Sequence, residues 1–295
     1  MKFTKMHGCS NDYVYVDCFK ETVPDMGLFA KTVSDRHTGI GSDGAIFICP
    51  VEGADCEMKM YNSDGSYSEM CGNGIRCVAK YIYDNGLVDK KEMDILSGGQ
   101  IKKIRVEVGP EEVNDITGTS FSKRDDGMAV NKARVDMGEP ILVPEKIPVI
   151  LSDGADRVVS HDLYVNDSNY KMTCVSVGNP HCVVFVEDVK HTPVETLGPG
   201  FENHVCFPNR INTEFVQIID RNNIRMRVWE RGAGETLACG TGACASAVAS
   251  ILNGYTEDRI TVHLTGGDLE IFWDRKGDNH VYMTGGAVTV FEGEI

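Results

Sequence analysis

The sequence predicts an α/β (α+β) protein of two pseudo-symmetric domains from an internal duplication, each a mainly antiparallel β-sheet or barrel around a central helix. Three observations carry this. The 295-residue chain repeats itself at a constant offset. Most segments within each copy are short runs with strand periodicity. One helix signature stands at the same place in each copy. With 42% hydrophobic residues, the chain has material for two domain cores.

The offset is 168 residues, and it holds along most of a half-chain. Asn11 meets Asn179, each ahead of a hydrophobic run (Tyr13 to Val16, Val183 to Val186). Met58-Lys59-Met60-Tyr61 meets Met226-Arg227-Val228-Trp229. The stretch from Met70 through Cys71-Gly72-Asn73-Gly74 to Asn85-Gly86 meets Ala238-Cys239-Gly240-Thr241-Gly242 through Asn253-Gly254. Leu96-Ser97-Gly98-Gly99 meets Leu264-Thr265-Gly266-Gly267.

Ile46 to Ile48, Ile104 to Val108 and Thr213 to Ile218 read as strands. Helices are predicted from about Gly74 to Asp84 and from about Gly242 to Leu252, each stopped by an Asn-Gly pair that suits a left-handed C-terminal turn. The register ends near residue 110, where Glu111 to Met128 is polar and reads as an insertion. Val135-Asp136-Met137-Gly138 then echoes Val281 to Gly285 at a shorter offset. These breaks place an N-terminal repeat at 1–132, joined by the terminal strand 281–295, and a C-terminal repeat at 133–280, with an active site expected in the cleft between them.

A formal net charge of −15 argues against a nucleic-acid partner, since no basic surface exists to neutralise phosphates. No apolar run reaches the length of a membrane span, and the N-terminus has no apolar signal region, so a cytoplasmic location is expected. The odd count of 11 cysteines argues against a disulfide framework, and the absence of a C-x-x-C pair argues against a structural zinc site. Most of these cysteines are expected to be small core residues.

Cys71 and Cys239 differ from the rest, because each stands in Cys-Gly-x-Gly immediately before its repeat's helix. The first N–H groups of a helix lack intrahelical partners, and the dipole is positive there. Such sites lower a cysteine pKa from about 8.5 to between about 3.5 and 7.5. The glycines let backbone approach a ligand closely. Cys77 and Cys244 fall inside the helices, where an ordinary buried thiol is the better reading. Two equivalent acid/base groups, one per half, suit inversion of a carbon centre. One group removes a proton from one face while the other delivers a proton to the opposite face. The developing negative charge calls for stabilisation, which the two helix N-termini can supply.

Phe3 to Gly8 with Asn11-Asp12, Asn62-Ser63-Asp64-Gly65-Ser66, Glu69 to Cys77, Gly178-Asn179-Pro180-His181 and Glu230 to Gly242 together resemble the diaminopimelate epimerase family over nearly the whole chain. The resemblance implies conversion of LL-2,6-diaminopimelate to the meso isomer without pyridoxal phosphate or metal, on the path to lysine and cell-wall peptide. It implies Cys71 and Cys239 as the acid/base thiols, with His181 and Glu230 supporting them and the reacting amino group. Asn11, Asn62, Asn179, Asn212 and Arg231 would bind the substrate's carboxylates and amino groups. The backbone amides of Gly72-Asn73 and Gly240-Thr241 would hold the carboxylate at the reacting carbon. A small diamino dicarboxylate is then the partner, with no cofactor, and a homodimer is the family's common assembly.

Some of these positions coincide under the duplication: Asn62 meets Glu230, and Asn212 meets Gly44. Some family members carry a side-chain amide where this chain has Gly44, so Gly44 is left out of the site. Taken singly, an Asn in a turn is a local backbone partner, His181 a structural histidine, and Glu230 beside Arg231 a surface ion pair of little worth. Asp35 to Gly41 reads as a tight loop. Proline racemases share the two-thiol plan, but the Glu-Arg-Gly-x-Gly-Glu-Thr approach to Cys239 fits the diaminopimelate branch better. A thiol redox or metal-binding protein would call for close cysteine pairs, and the sequence has none.

Overall fold

The computed structural model describes residues 1–68, 71–111, 119–151 and 154–295. Glu69 and Met70 of the first repeat, and 112–118 of the expected insertion, lie outside them. The fold is mixed α+β and duplicated, as the sequence predicts. In chain order the first elements are β1 (Lys2–Gly8), β2 (Asn11–Asp17), α1 (Met26–Ser34), β3 (Gly44–Cys49), β4 (Cys56–Asn62), β5 (Tyr67–Ser68), α2 (Gly72–Asp84), β6 (Glu92–Ser97), β7 (Gln100–Pro110) and β8 (Met128–Asp136). There follow β9 (His161–Val165), β10 (Ser168–Ser176), β11 (Pro180–Phe185), α3 (Val194–Glu202), β12 (Asn212–Ile218), β13 (Asn223–Glu230), β14 (Gly234–Thr236) and α4 (Gly240–Leu252). The chain ends with β15 (Arg259–Leu264), β16 (Gly267–Trp273), β17 (Val281–Gly286) and β18 (Val288–Glu294). Among the described residues no helix is long and apolar enough to cross a membrane.

The chain divides into two compact units, Met1–Asp136 with Thr284–Ile295, and Met137–Met283. In the first, the strands pair in the order β18-β1-β2-β3-β4-β6-β7-β8, with β5 added to β4. In the second, the order is β9-β10-β11-β12-β13-β15-β16, with β14 added to β13. Most pairs are antiparallel. The parallel ones, β2 with β3 and β4 with β6, are each joined through a helix, and so are β11 with β12 and β13 with β15.

The register repeats as well. Tyr13 pairs with Gly44 in one unit and His181 with Asn212 in the other, while Ala45 pairs with Tyr61 and Thr213 with Trp229. These are the same places 168 residues apart.

Two details differ from the sequence reading. Each unit has a second, nine-residue helix, α1 or α3, beginning at Met26 and Val194, again 168 residues apart. Gly27 in the first and Leu-Gly-Pro-Gly in the second mask them, since such residues disfavour helix interiors. The β15–β16 hairpin also turns one residue earlier than its counterpart. Gly98 and Gly99, both at positive φ, turn between Ser97 and Gln100, whereas Thr265 and Gly266 turn between Leu264 and Gly267. The β-branched Thr265 does not take positive φ readily, so this turn does not reuse the backbone of the Gly98-Gly99 pair.

The central helices are α2 and α4, 13 residues each and buried along almost their whole length. Ile75, Val78 and Ile82 of α2 are fully buried or nearly so, and each contributes about 1.5–3 kcal/mol by leaving water. Both helices end on Asn-Gly with the glycine at positive φ, Gly86 at 67° and Gly254 at 73°. A rigid, buried helix in each unit fixes the position of the residue that caps it.

Candidate active site

Cys71 caps the N-terminus of α2 and Cys239 that of α4. Each has extended backbone, and its Sγ accepts a helix N–H, from Gly74 at 3.3 Å and from Gly242 at 3.4 Å. The glycine seats are tight. A Cβ on Gly74 would lie 3.5 Å from Cys71 Sγ, and one on Gly242 would lie 3.3 Å from Cys239 Sγ. The Cys-Gly-x-Gly spacing therefore lets the sulfur lie over the first turn.

Both thiols are pushed up from the ordinary cysteine range, which corrects the expectation that their helix ends would lower both. Withdrawal from water raises the Cys71 thiol, outweighing the opposing pull of the Gly74 N–H, the Tyr13 hydroxyl, the Asn73 N–H and the Arg76 guanidinium. Cys239 is raised further, first by burial and then by the carboxylates of Glu230 and Glu214, with Thr241 and the Gly242 N–H acting the other way. Desolvation penalises the charged form more than one helix end favours it.

In the first unit Cys71, Asn73 and Asn11 come together. Cys71 Sγ donates to Asn11 Oδ1 at 3.3 Å, and Asn73 Nδ2 approaches the same oxygen at 3.5 Å. Asn11 Nδ2 is held by Asp43 Oδ2 at 2.8 Å, and Asp43 is held in turn by Arg36, which also bridges to Asp12. The Asp35 to Gly41 segment, read only as a loop, thus steadies Asn11. Asn62 is not drawn into this group; its Nδ2 donates to Ser66 Oγ at 3.0 Å in its own turn. Gly72 is buried as the first helical residue.

In the second unit Asn179, His181 and an unexpected residue, Glu214, form a chain. His181 Nε2 lies 2.8 Å from Asn179 Oδ1, and His181 Nδ1 lies 2.7 Å from Glu214 Oε1. Asn212 is buried and engaged at both ends, donating to Pro180 O at 2.8 Å and accepting the Arg231 N–H at 2.9 Å. Glu230 accepts from Thr236 Oγ1 rather than forming the ion pair with Arg231 that adjacency suggests. The exposed Arg231 side chain reaches Asn209 O at 3.0 Å. Thr241 Oγ1 lies 3.5 Å from Cys239 Sγ, beside the first helical residue Gly240.

Three functional candidates escaped the sequence. Tyr13 is buried, its hydroxyl acts electrostatically on the Cys71 thiol, and it is the offset counterpart of His181. Applying the offset to His181 would have found it. Thr236 is legible only from its contact with Glu230. Glu214 is a carboxylate, a group ordinarily left at the surface, yet it has no solvent exposure. Each thiol lies over a helix N-terminus beside hydrogen-bonding side chains, an arrangement chemically suited to taking up or giving a proton.

A family model described as diaminopimelate epimerase matches residues 3–120 and 173–290, one stretch in each half. The Acetivibrio thermocellus diaminopimelate epimerase is 51% identical, covering 100% of this chain and 98% of its own length. That of Agathobacter rectalis is 52% identical (100% and 99%), and that of Methanococcus maripaludis is 50% identical (100% and 99%). Among solved structures, a Bacillus anthracis phenazine biosynthesis protein of the PhzF family aligns with a TM-score of 0.66 at 15% identity, covering 100% of this chain and 98% of that one. A probable proline racemase from Agrobacterium radiobacter aligns with a TM-score of 0.65 at 12% identity, covering 100% and 92%. At those identities the structures share the fold. With half the residues identical along the full length, and the family's model matched in both halves, the chain belongs to the diaminopimelate epimerase family.

Proposed function

We propose that this protein epimerises LL-2,6-diaminopimelate to the meso isomer by a two-base mechanism, as an isomerase of lysine and peptidoglycan-precursor biosynthesis. The observation that carries this is the pair of N-capping thiols at equivalent positions of two helices, in a chain about half identical to diaminopimelate epimerases. In this reading a thiolate removes the α-hydrogen as a proton, and the electron pair stays on the α-carbon and its carboxylate. The other thiol then delivers its proton to the opposite face. The roles exchange for the reverse direction.

The first-turn N–H groups of Gly72-Asn73 and Gly240-Thr241 take the carboxylate at the reacting carbon, where negative charge develops. Asn11, Asn62, Asn179, Asn212 and Arg231 recognise the remaining carboxylate and amino groups. For Asn212 the part is better described as fixing the Arg231 turn, since both ends of its amide are engaged. His181 and Glu230 support Cys239 and the reacting amino group. In this reading each thiol addresses one face of the substrate's α-carbon. The reaction needs neither pyridoxal phosphate nor metal.

We also place the enzyme in the cytoplasm, a reading supported by 11 cysteines, none of them in a disulfide, two of which the chemistry needs reduced. We assign it a homodimeric state, for which β18 offers a strand with exposed Val288 and Phe291. Analytical ultracentrifugation at two loading concentrations tests the assembly, and a single monomer boundary contradicts it. The substrate is tested by incubating the protein with LL-diaminopimelate in D₂O and following deuterium at one α-carbon by NMR, with L-proline in parallel. Label in diaminopimelate alone is the expected result; label in proline alone assigns the chain to the racemase chemistry instead.

A further inference from the structure

The duplication lets each half serve as a reference for the other. Four positions around the thiols change chemical character across the offset of 168: Tyr13 becomes His181, Ile46 becomes Glu214, Asn62 becomes Glu230 and Arg76 becomes Cys244. At these four positions the Cys71 half carries neutral or cationic residues. Arg76 is fully buried, binding Gly72 O at 3.0 Å and Asn73 Oδ1 at 2.9 Å in the first turn of α2. Cys239 is faced instead by two carboxyl groups, Glu230 and Glu214.

The sharpest exchange is Ile46 for Glu214. A Cβ on Gly74 would lie 2.5 Å from Ile46 Cδ1, and a Cβ on Gly242 would lie 2.6 Å from Glu214 Oε1. One seat beneath the first helical turn thus holds a methyl group in one half and a carboxylate oxygen in the other.

Glu214 is poorly accommodated there by structural criteria. It has no solvent exposure, its Oε1 meets His181 at 2.7 Å, and its buried Oε2 has no hydrogen-bond partner among the described residues. An unsatisfied buried polar atom is destabilising, more so when charged, and Ile46 shows that the fold accepts an apolar residue in this seat. A carboxylate retained in such a place points to a task other than packing.

We propose that Glu214 is a positioning residue for Cys239: from beneath the first turn of α4, and through its contact with His181, it keeps the proton on the Cys239 thiol, so that Cys71 ionises first. This rests on the two-thiol reading above. The groups that face Cys239 are Glu214 from β12 and Glu230 from β13, with His181 of β11 one hydrogen bond behind Glu214. Burial pushes Glu214 toward its neutral form and the His181 contact pulls it toward the charged one; ionised, either carboxylate disfavours a neighbouring thiolate. A single proton shared by the two thiols therefore rests on Cys239, which leaves Cys71 as the base that takes the substrate proton and Cys239 as the acid that gives one. After product leaves, Cys71 releases the proton it took to solvent and Cys239 takes one up, which restores the starting state.

The test is iodoacetamide alkylation of the full-length protein across pH without substrate, with Cys71 and Cys239 quantified separately by peptide mass spectrometry. In the unaltered protein, Cys71 is expected to reach half-maximal rate at lower pH than Cys239. Glu214→Gln, which keeps a hydrogen-bonding partner for His181, is expected to speed Cys239 alkylation about tenfold at a pH below its midpoint, the equivalent of one pKa unit, and to leave Cys71 within about twofold. Glu214→Asp keeps the charge and is expected to retain the original order.

Cys239 reacting at lower pH than Cys71 in the unaltered protein overturns the proposal, whatever the variants do. So does an unchanged Cys239 profile in Glu214→Gln. Alkylation needs no turnover, so loss of the epimerase assignment alone leaves this result standing.

Discussion

An N-cap is ordinarily Ser, Thr, Asp or Asn, whose oxygen accepts a helix N–H well. Cys71 and Cys239 accept the same bonds with sulfur, at 3.3 and 3.4 Å, so a better cap was available at both places. Cys71→Ser and Cys239→Ser should accordingly leave stability within about 1 kcal/mol while lowering kcat by about 10²–10⁴-fold, as read by urea unfolding and by stereochemical turnover. A variant that loses stability but keeps turnover would mark the thiols as structural. Because burial raises both thiols, the form carrying one thiolate grows as pH rises. We therefore expect kcat/KM to climb by close to tenfold per pH unit between about pH 6 and 8; a plateau already reached at pH 6 would contradict the raised values. The two cysteines were legible because the repeat places them identically, a pattern that ordinary core cysteines have no reason to follow. Glu214 was not legible. Its strand is covered on both faces, β12 being buried from Asn212 to Val216, so the alternation that marks an outward residue carries no information there.

At the scale of elements, glycine serves two separate purposes in α2 and α4. Gly86 and Gly254 adopt positive φ with open space where a Cβ would project. Gly86→Ala should cost about 1 kcal/mol through backbone strain alone, read as a lower urea midpoint, and leave kcat unchanged. Gly74 has no such backbone demand but no room, since a methyl would press on Ile46 at 2.5 Å and on Cys71. Gly74→Ala should reduce kcat by at least about tenfold by displacing the thiol, given how steeply rates depend on placement. The central helices were legible from their Asn-Gly stops and their identical place in each repeat. The shorter helices were hidden, because α3 contains Gly198, Pro199 and Gly200 and depends on packing: a Cβ at Gly198 would meet the Trp229 ring at 2.3 Å.

For the whole molecule, duplication supplies two equivalent catalytic elements, and divergence gives them different surroundings. The strand order and register repeat in both units, so the fold class was available from the offset alone. The electrostatic difference between the halves was not, because it depends on which side chains lie beneath each first turn. The central claim is that one sulfur takes the proton and another gives it. The measurement that tests it most directly is the fate of hydrogen during the first tenth or so of turnover in D₂O, starting from LL-diaminopimelate. Two separate acid/base groups predict meso product carrying solvent deuterium at its inverted carbon, with little label in the remaining substrate. Product that retains its own α-hydrogen would mean a single group returns the proton it removed, and would contradict the account.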